Sequence, residues 1–142
     1  MKNSSQINHY QLVPAIFQAL SASHQEISKT LEPKLRHLIE LRASQINRCA
    51  FCVKMHTEEA KKDGETAERI ERIMVWDHVD DFSEKEQAAL AWTEALTELD
   101  AKTDYNGLRS RLKQHFEDQE ISAMTAAVAM INLWNRVQVS NH

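Results

Sequence analysis

Apolar residues recur at helical spacing along most of the chain. Pro14 suits the first turn of a helix, where its missing N–H would be unpaired anyway, and Ile16, Leu20 and Ile27 follow it. Pro33 stands in the same relation to Leu35, Leu38, Ile39, Leu41 and Ile46, which form one apolar stripe. Asn47 and Arg48 read as the break after it. The next helix begins near Cys49 and stops before Gly64, whose freedom at positive φ suits a helix end. Thr66 caps a short helix bearing Ile70, Ile73 and Met74. Ser83-Glu84-Lys85-Glu86 has the capping-box form, a hydroxyl bonding forward and a carboxylate bonding back, just ahead of Ala88, Leu90, Trp92 and Leu96. After a loop over 100–104, Leu108, Leu112 and Phe116 keep helical spacing, and Asp118 caps a last helix from about Gln119 to Val139. The pattern predicts an all-α protein, a bundle of six to seven helices occupying residues 1–142 as one domain.

The last segment is apolar nearly all round: Ile121, Met124, Val128 and Ile131 lie on one line, Ala127, Met130, Leu133 and Val137 on others. Such a helix is buried on most sides, which a small domain satisfies more easily when another copy covers part of it, so a homo-oligomer is expected. Composition agrees with the helical reading, since two glycines and two prolines are too few for the tight turns of a sheet protein. The 21 acidic and 17 basic residues are interspersed and sum to a net charge of −4, which gives no nucleic-acid footprint. The run 123–134 falls short of the roughly 20 apolar residues that span a bilayer, so no membrane partner is expected. The opening MKNSSQINHY lacks the apolar stretch of a secretory signal; the expected location is the cytoplasm, where thiols stay reduced.

The only two cysteines fall together in 48-RCAFCVKMH-56. A bridge between Cys49 and Cys52 would close too small a loop to constrain the unfolded chain much, so stapling is a poor reason for the pair. On a helix, Cys49, Cys52 and His56 occupy i, i+3 and i+7, one face. A disulfide wants Cβ atoms about 3.8 Å apart, whereas i and i+3 lie roughly 5–6 Å apart in a regular helix, so a bridge here is readily reduced. The unpaired N–H groups of the helix start favour a thiolate, and His56 stands one turn from Cys52 as proton acceptor. Position alone lets either sulfur attack. If the chain folds back at Asn47–Arg48, His37 and Glu40 on the preceding helix come level with His56 and can orient it.

Blander readings compete with this one. Free cysteines often serve as small buried hydrophobes, and charged residues on an amphipathic helix are usually its solvated edge. His9, His24, His78, His115 and His142 have no partner spacing and are expected to be structural; Trp76, Trp92 and Trp134 are expected in the core, with walling a substrate pocket as the other reading. Zinc is the rival from another functional class, with Cys49, Cys52, His56 and His37 as a Cys₂His₂ set or with the cluster used structurally in a non-catalytic oligomer.

The segments 35-LRHLIELRASQINRCAFCVKMH-56, 83-SEKEQAALAWTEALTEL-99 and 130-MINLWNRVQVS-140 resemble the carboxymuconolactone decarboxylase superfamily, in its AhpD-like alkylhydroperoxidase branch. The resemblance implies an all-helical domain assembling into trimers or hexamers. It also implies reduction of small organic hydroperoxides by thiol chemistry with no metal, haem or flavin cofactor. Cys52 then matches the attacking sulfur, Cys49 the resolving one and His56 the proton relay, with a lipoamide-type or protein dithiol as external reductant. The decarboxylase branch lacks the thiol pair. One departure stands out: the family pattern L-R-E-L-I reads Leu35-Arg36-His37-Leu38-Ile39 here. Three consequences follow in descending order: His37 carries the proton itself, Glu40 one turn on supplies the carboxylate, or activity is reduced and the protein has drifted to another role.

Overall fold

The computed structural model describes residues 4–142; among them the chain forms eight α-helices, one 3₁₀ segment and no strand. The helices are α1 (His9–Leu12), α2 (Pro14–Thr30), α3 (Pro33–Ile46), α4 (Ala50–Lys62), α5 (Ala67–Arg72), α6 (Glu84–Glu98), α7 (Tyr105–Lys113) and α8 (Asp118–Val139), with the 3₁₀ segment Ile73–His78 after α5. Local chemistry sets most boundaries. Pro14 and Pro33 open α2 and α3, and the Ser83–Glu86 box closes in both directions at the start of α6. Gly64 takes φ +95° beyond α4, and Thr66 caps α5 by accepting from the N–H of Arg69.

Where the structure departs from the periodicity, the reason is local. The additional helix is α1, a single turn capped by Asn8 and too short to leave a periodic signature. Glu117 rather than Asp118 caps α8, because Glu120 reaches back to its N–H and completes a second capping box. The helix bearing Ile70 tightens to 3₁₀ at Ile73 and kinks at Val75, leaving Met74 exposed.

The fold is organised around α3, which packs against α4, α6 and α8. One of its faces puts Leu35 and Ile39 into a cluster with Ala88, Trp92, Leu112, Met124 and Val128. The other puts Leu38 and Leu41 against Ala60, Ile70, Ile73, Trp76, Phe82 and Leu90. Burying each of these leucines stabilises the fold by roughly 1.5–3 kcal/mol, so α3 is held from both sides. The α8 helix buries Ile121, Met124, Ala127, Val128 and Ile131, whereas Ala126 and Ala129 on its far side are exposed. No helix among the described residues is long and apolar enough to cross a membrane.

A buried amide network ties α8 to the end of α3. Asn135 donates to the Ser44 hydroxyl at 3.0 Å, and Asn47 donates to both Asn132 and Asn135 at 2.9 Å. Asn135 and Ser44 are fully buried, so each polar atom left unpaired there would cost about 1–3 kcal/mol. The network holds the reversal between α3 and α4.

Candidate active site

Arg48 adopts φ +55° at that reversal, and Cys49 follows as the N-cap of α4. The Cys49 sulfur accepts from the backbone N–H of Cys52 at 3.3 Å, and the two cysteines are joined as a disulfide with Cα atoms 5.3 Å apart. Both sulfurs therefore occupy the first turn of α4, where unpaired backbone N–H groups favour negative charge on whichever sulfur is released. Both residues are buried, but only Cys52 borders the cavity described below.

His56 lies one turn further along α4 with its Nδ1 between two carboxylates. Nδ1 donates to Glu59 Oε2 at 3.0 Å, while Glu40 Oε2, at 2.7 Å, sits off the N–H direction and makes an ion-pair contact rather than an aligned hydrogen bond. The other Glu40 oxygen accepts from Arg36 at 2.8 Å. Burial by itself would push the Glu40 carboxyl up, but His56 and then Arg36 overcome it and hold the group below its ordinary range. Burial likewise pushes His56 down, and the Glu40 and Glu59 carboxylates reverse it, so the imidazole is raised and favours its charged form. At rest the neutral ring carries its proton on Nδ1, the nitrogen that faces the two carboxylates, which leaves Nε2 open toward the cavity. Proton exchange with the cavity therefore falls to Nε2, which has no protein partner among the described residues.

His37 is on the same helix as Glu40 but turns elsewhere. Its Nε2 pairs with Asp63 Oδ2 at 2.6 Å, which lowers the Asp63 carboxyl, and its Nδ1 is buried without a protein partner. Of the two α3 residues expected beside His56, it is Glu40 that touches the imidazole.

A cavity of about 720 Å³, within the range of small-molecule sites, opens onto Cys52 and His56. Phe51 and Met55 line it from α4, Tyr10 from α1, and Trp134 and Gln138 from α8. Tyr10 and Phe17 pack on Trp134, with ring centroids 6.4 Å and 5.7 Å from it. The wall is anchored by the Tyr10 hydroxyl, which accepts from Gln138, and by contacts of Ile7 and His9 with Asn141 and Ser140. Arg36, Lys62 and Asp63 bring charge to its lining.

The carboxymuconolactone decarboxylase family matches residues 12–95, more than half of the chain and all five candidate residues. The chain belongs to that family. It is 30% identical over 138 residues to the uncharacterized protein YdfG of Bacillus subtilis (strain 168), covering 96% of this chain and 94% of YdfG. Among solved structures it is similar to a protein of unknown function from Agrobacterium tumefaciens, proposed as an antioxidant defence protein AhpD. The TM-score there is 0.91 at 37% identity, over 97% of this chain and 95% of that one. The debrominase Bmp8 shares the fold, with a TM-score of 0.78 at 18% identity over 89% of this chain and 69% of that one. The joined cysteine pair on an AhpD-like scaffold is consistent with a peroxidase-like redox role.

Within this member of the family, three cavity residues escaped the sequence reading. Glu59 is at i+3 from His56, so helical spacing alone places it beside the imidazole. Asp63 meets His37 across 26 residues, and His24, expected to be structural, lines the cavity from α2; neither follows from local spacing. Trp76 and Trp92 are core residues as expected, but Trp134 is half-buried in the cavity wall. Among the described residues, potential metal ligands converge in one group, His37, Glu40 and Glu59, with single ligand atoms within 4.8 Å of one another. Neither cysteine belongs to that group, and its glutamates already face the His56 imidazole.

Proposed function

We propose that this chain is a thiol-dependent peroxidase for small organic hydroperoxides. The observation that carries the reading is the joined Cys49–Cys52 pair at a cavity bordered by Cys52 alone of the two, with His56 one turn away. In the reduced protein the Cys52 thiolate attacks the hydroperoxide oxygen distal to the alkyl group. The O–O bond breaks, Cys52 becomes a sulfenic acid, and the departing alkoxide takes a proton from His56 to leave as alcohol. Cys49 then attacks the sulfenic sulfur, forming the disulfide and releasing water. An external dithiol, of the lipoamide type or on a protein, returns two electrons and two protons through a mixed disulfide. In this mechanism Glu40 is the counter-charge that keeps His56 protonated, and His37 is a neighbour that steadies Asp63 at the rim.

Substrate size is part of the reading. Hydrogen peroxide would leave most of the cavity empty, whereas an alkyl or aryl hydroperoxide would lie against Trp134, Tyr10, Phe51 and Met55. The proposed setting is the cytoplasm, where a dithiol pool keeps the pair cycling, and the proposed assembly is a homo-oligomer, a trimer or hexamer. The apolar surface left beside α8, formed by Ala126, Ala129, Met130 and Leu133 with Ile27, supports that assembly, which light scattering tests.

A thiol count tests the chemistry. An alkyl hydroperoxide added to the metal-free reduced protein should consume two thiols per chain. Cys52→Ser should block the loss, and Cys49→Ser should leave a sulfenic acid trappable by a dimedone probe. Unchanged thiols together with stoichiometric zinc uptake would overturn the reading in favour of a metal-binding role for the same cluster.

A further inference from the structure

The two carboxylates at His56 differ in a way the peroxidase chemistry does not require. Glu40 is 3% exposed, does not border the main cavity, has its second oxygen bound by Arg36, and meets Nδ1 off the N–H direction. The Glu59 side chain is 46% exposed, lines the cavity, receives the aligned Nδ1–H bond, and pairs with no lysine or arginine among the described residues. A carboxylate clamped by a guanidinium in a closed site is a fixed charge. One that is half in water and in line with an N–H can take that proton and exchange it with solvent.

We propose that Glu59 is the proton port of this site, carrying protons between His56 Nδ1 and bulk water, while Glu40 serves only as the buried counter-charge. The inference rests on the thiol reading of Cys49 and Cys52. When Cys52 ionises, its proton enters the ring at Nε2 and the Nδ1 proton leaves to Glu59 and then to water. When a proton is needed in the cavity, by a departing alkoxide or by a cysteine released from the disulfide, the same line runs in reverse. No electrons move in this step, and each proton gained at one ring nitrogen is matched by one lost at the other.

Other charged or titratable groups surround this line. From α3 come Arg36, bound to Glu40, and His37, bound to Asp63; from α4, Lys62; just beyond it, Asp63; from α2, His24; and from α1, Tyr10, bound to Gln138. Trp134 is the α8 residue that borders both His56 cavities, and it offers no exchangeable acid. None of these groups hydrogen-bonds His56 directly, so Glu59 is the acceptor through which the ring proton reaches water.

Glu59→Gln tests the proposal, since the amide can still accept from Nδ1 but cannot carry a proton. The rate of Cys52 oxidation should fall by about tenfold at low buffer concentration, a modest part of the roughly 10²–10⁴-fold that general acid–base catalysis contributes. A small permeant buffer such as imidazole should restore it, and Glu59→Asp should restore it in part without buffer. Glu40→Gln should be slow with no response to buffer. Full activity in Glu59→Gln, or a loss that buffer does not relieve, overturns the proposal. The same buffer series applied to reduction of the Cys49–Cys52 disulfide by dithiothreitol keeps the test separate from the peroxidase reading. If no hydroperoxide is turned over but dithiothreitol reduction shows the rescue, the port stands and the substrate reading falls.

Discussion

Replacing Glu40 by glutamine keeps the shape of the side chain and removes one negative charge from between Arg36 and His56. The side chains of Glu40 and His56 are 4% and 7% exposed, so solvent screens the pair little. Removing one partner of a buried ion pair costs about 3–5 kcal/mol, chiefly because the other charge is left uncompensated. The low end, about 3 kcal/mol, is expected here, because His56 can release its proton and the Arg36 side chain, 15% exposed, reaches the cavity edge. For a chain of this size that corresponds to a fall in Tm of roughly 10 °C. The pH dependence has a definite sign. His56 is raised in the folded protein, so its contribution is full below the unfolded value of about 6.5 and is lost as pH rises through the folded one. Glu40 is lowered, so its contribution is present above the unfolded value of about 4.3 and is lost as pH falls through the folded one. The stability gap between the wild type and Glu40→Gln is therefore widest between those limits and narrows on both sides. Urea denaturation from pH 3 to 9, with His56 followed by NMR titration, measures both quantities. A gap below about 1 kcal/mol that is flat with pH, with His56 titrating where it did before, would refute the electrostatic account.

Two further outcomes follow from the packing. Asn135→Ala removes two hydrogen bonds, to Asn47 and to Ser44, which keep only Asn132 and the Glu40 carbonyl as partners, and should destabilise by about 2 kcal/mol in chemical denaturation; Asn135→Leu should do no better because the same two bonds are lost. Trp134→Ala removes the aromatic wall and should reduce kcat/KM for an aryl hydroperoxide about tenfold more than for hydrogen peroxide, a difference of about 1.4 kcal/mol in transition-state binding; equal losses for the two substrates would refute the role of the wall.

Sequence alone determined the local features of this protein. Helix starts at Pro14, Pro33, Thr66 and Ser83, and the end near Gly64, were legible because caps, prolines and a glycine at positive φ act within a few residues. The close approach of Cys49 and Cys52 was legible for the same reason: i and i+3 meet on the first turn of a helix whatever the rest of the chain does. Glu59 beside His56 belongs to this class and was available from spacing. Tertiary structure decided what depends on how α3 rotates against α4 and on where the two ends of the chain meet. Periodicity places His37 and Glu40 one turn apart on α3; only the packing of both α3 faces into separate apolar clusters turns Glu40 toward His56 and His37 toward Asp63. The cavity wall likewise joins Tyr10 to Trp134 by ring stacking and to Gln138 by a hydrogen bond, both spanning more than a hundred residues, a juxtaposition that no local signal encodes because side-chain contact at that separation exists only once the bundle has closed.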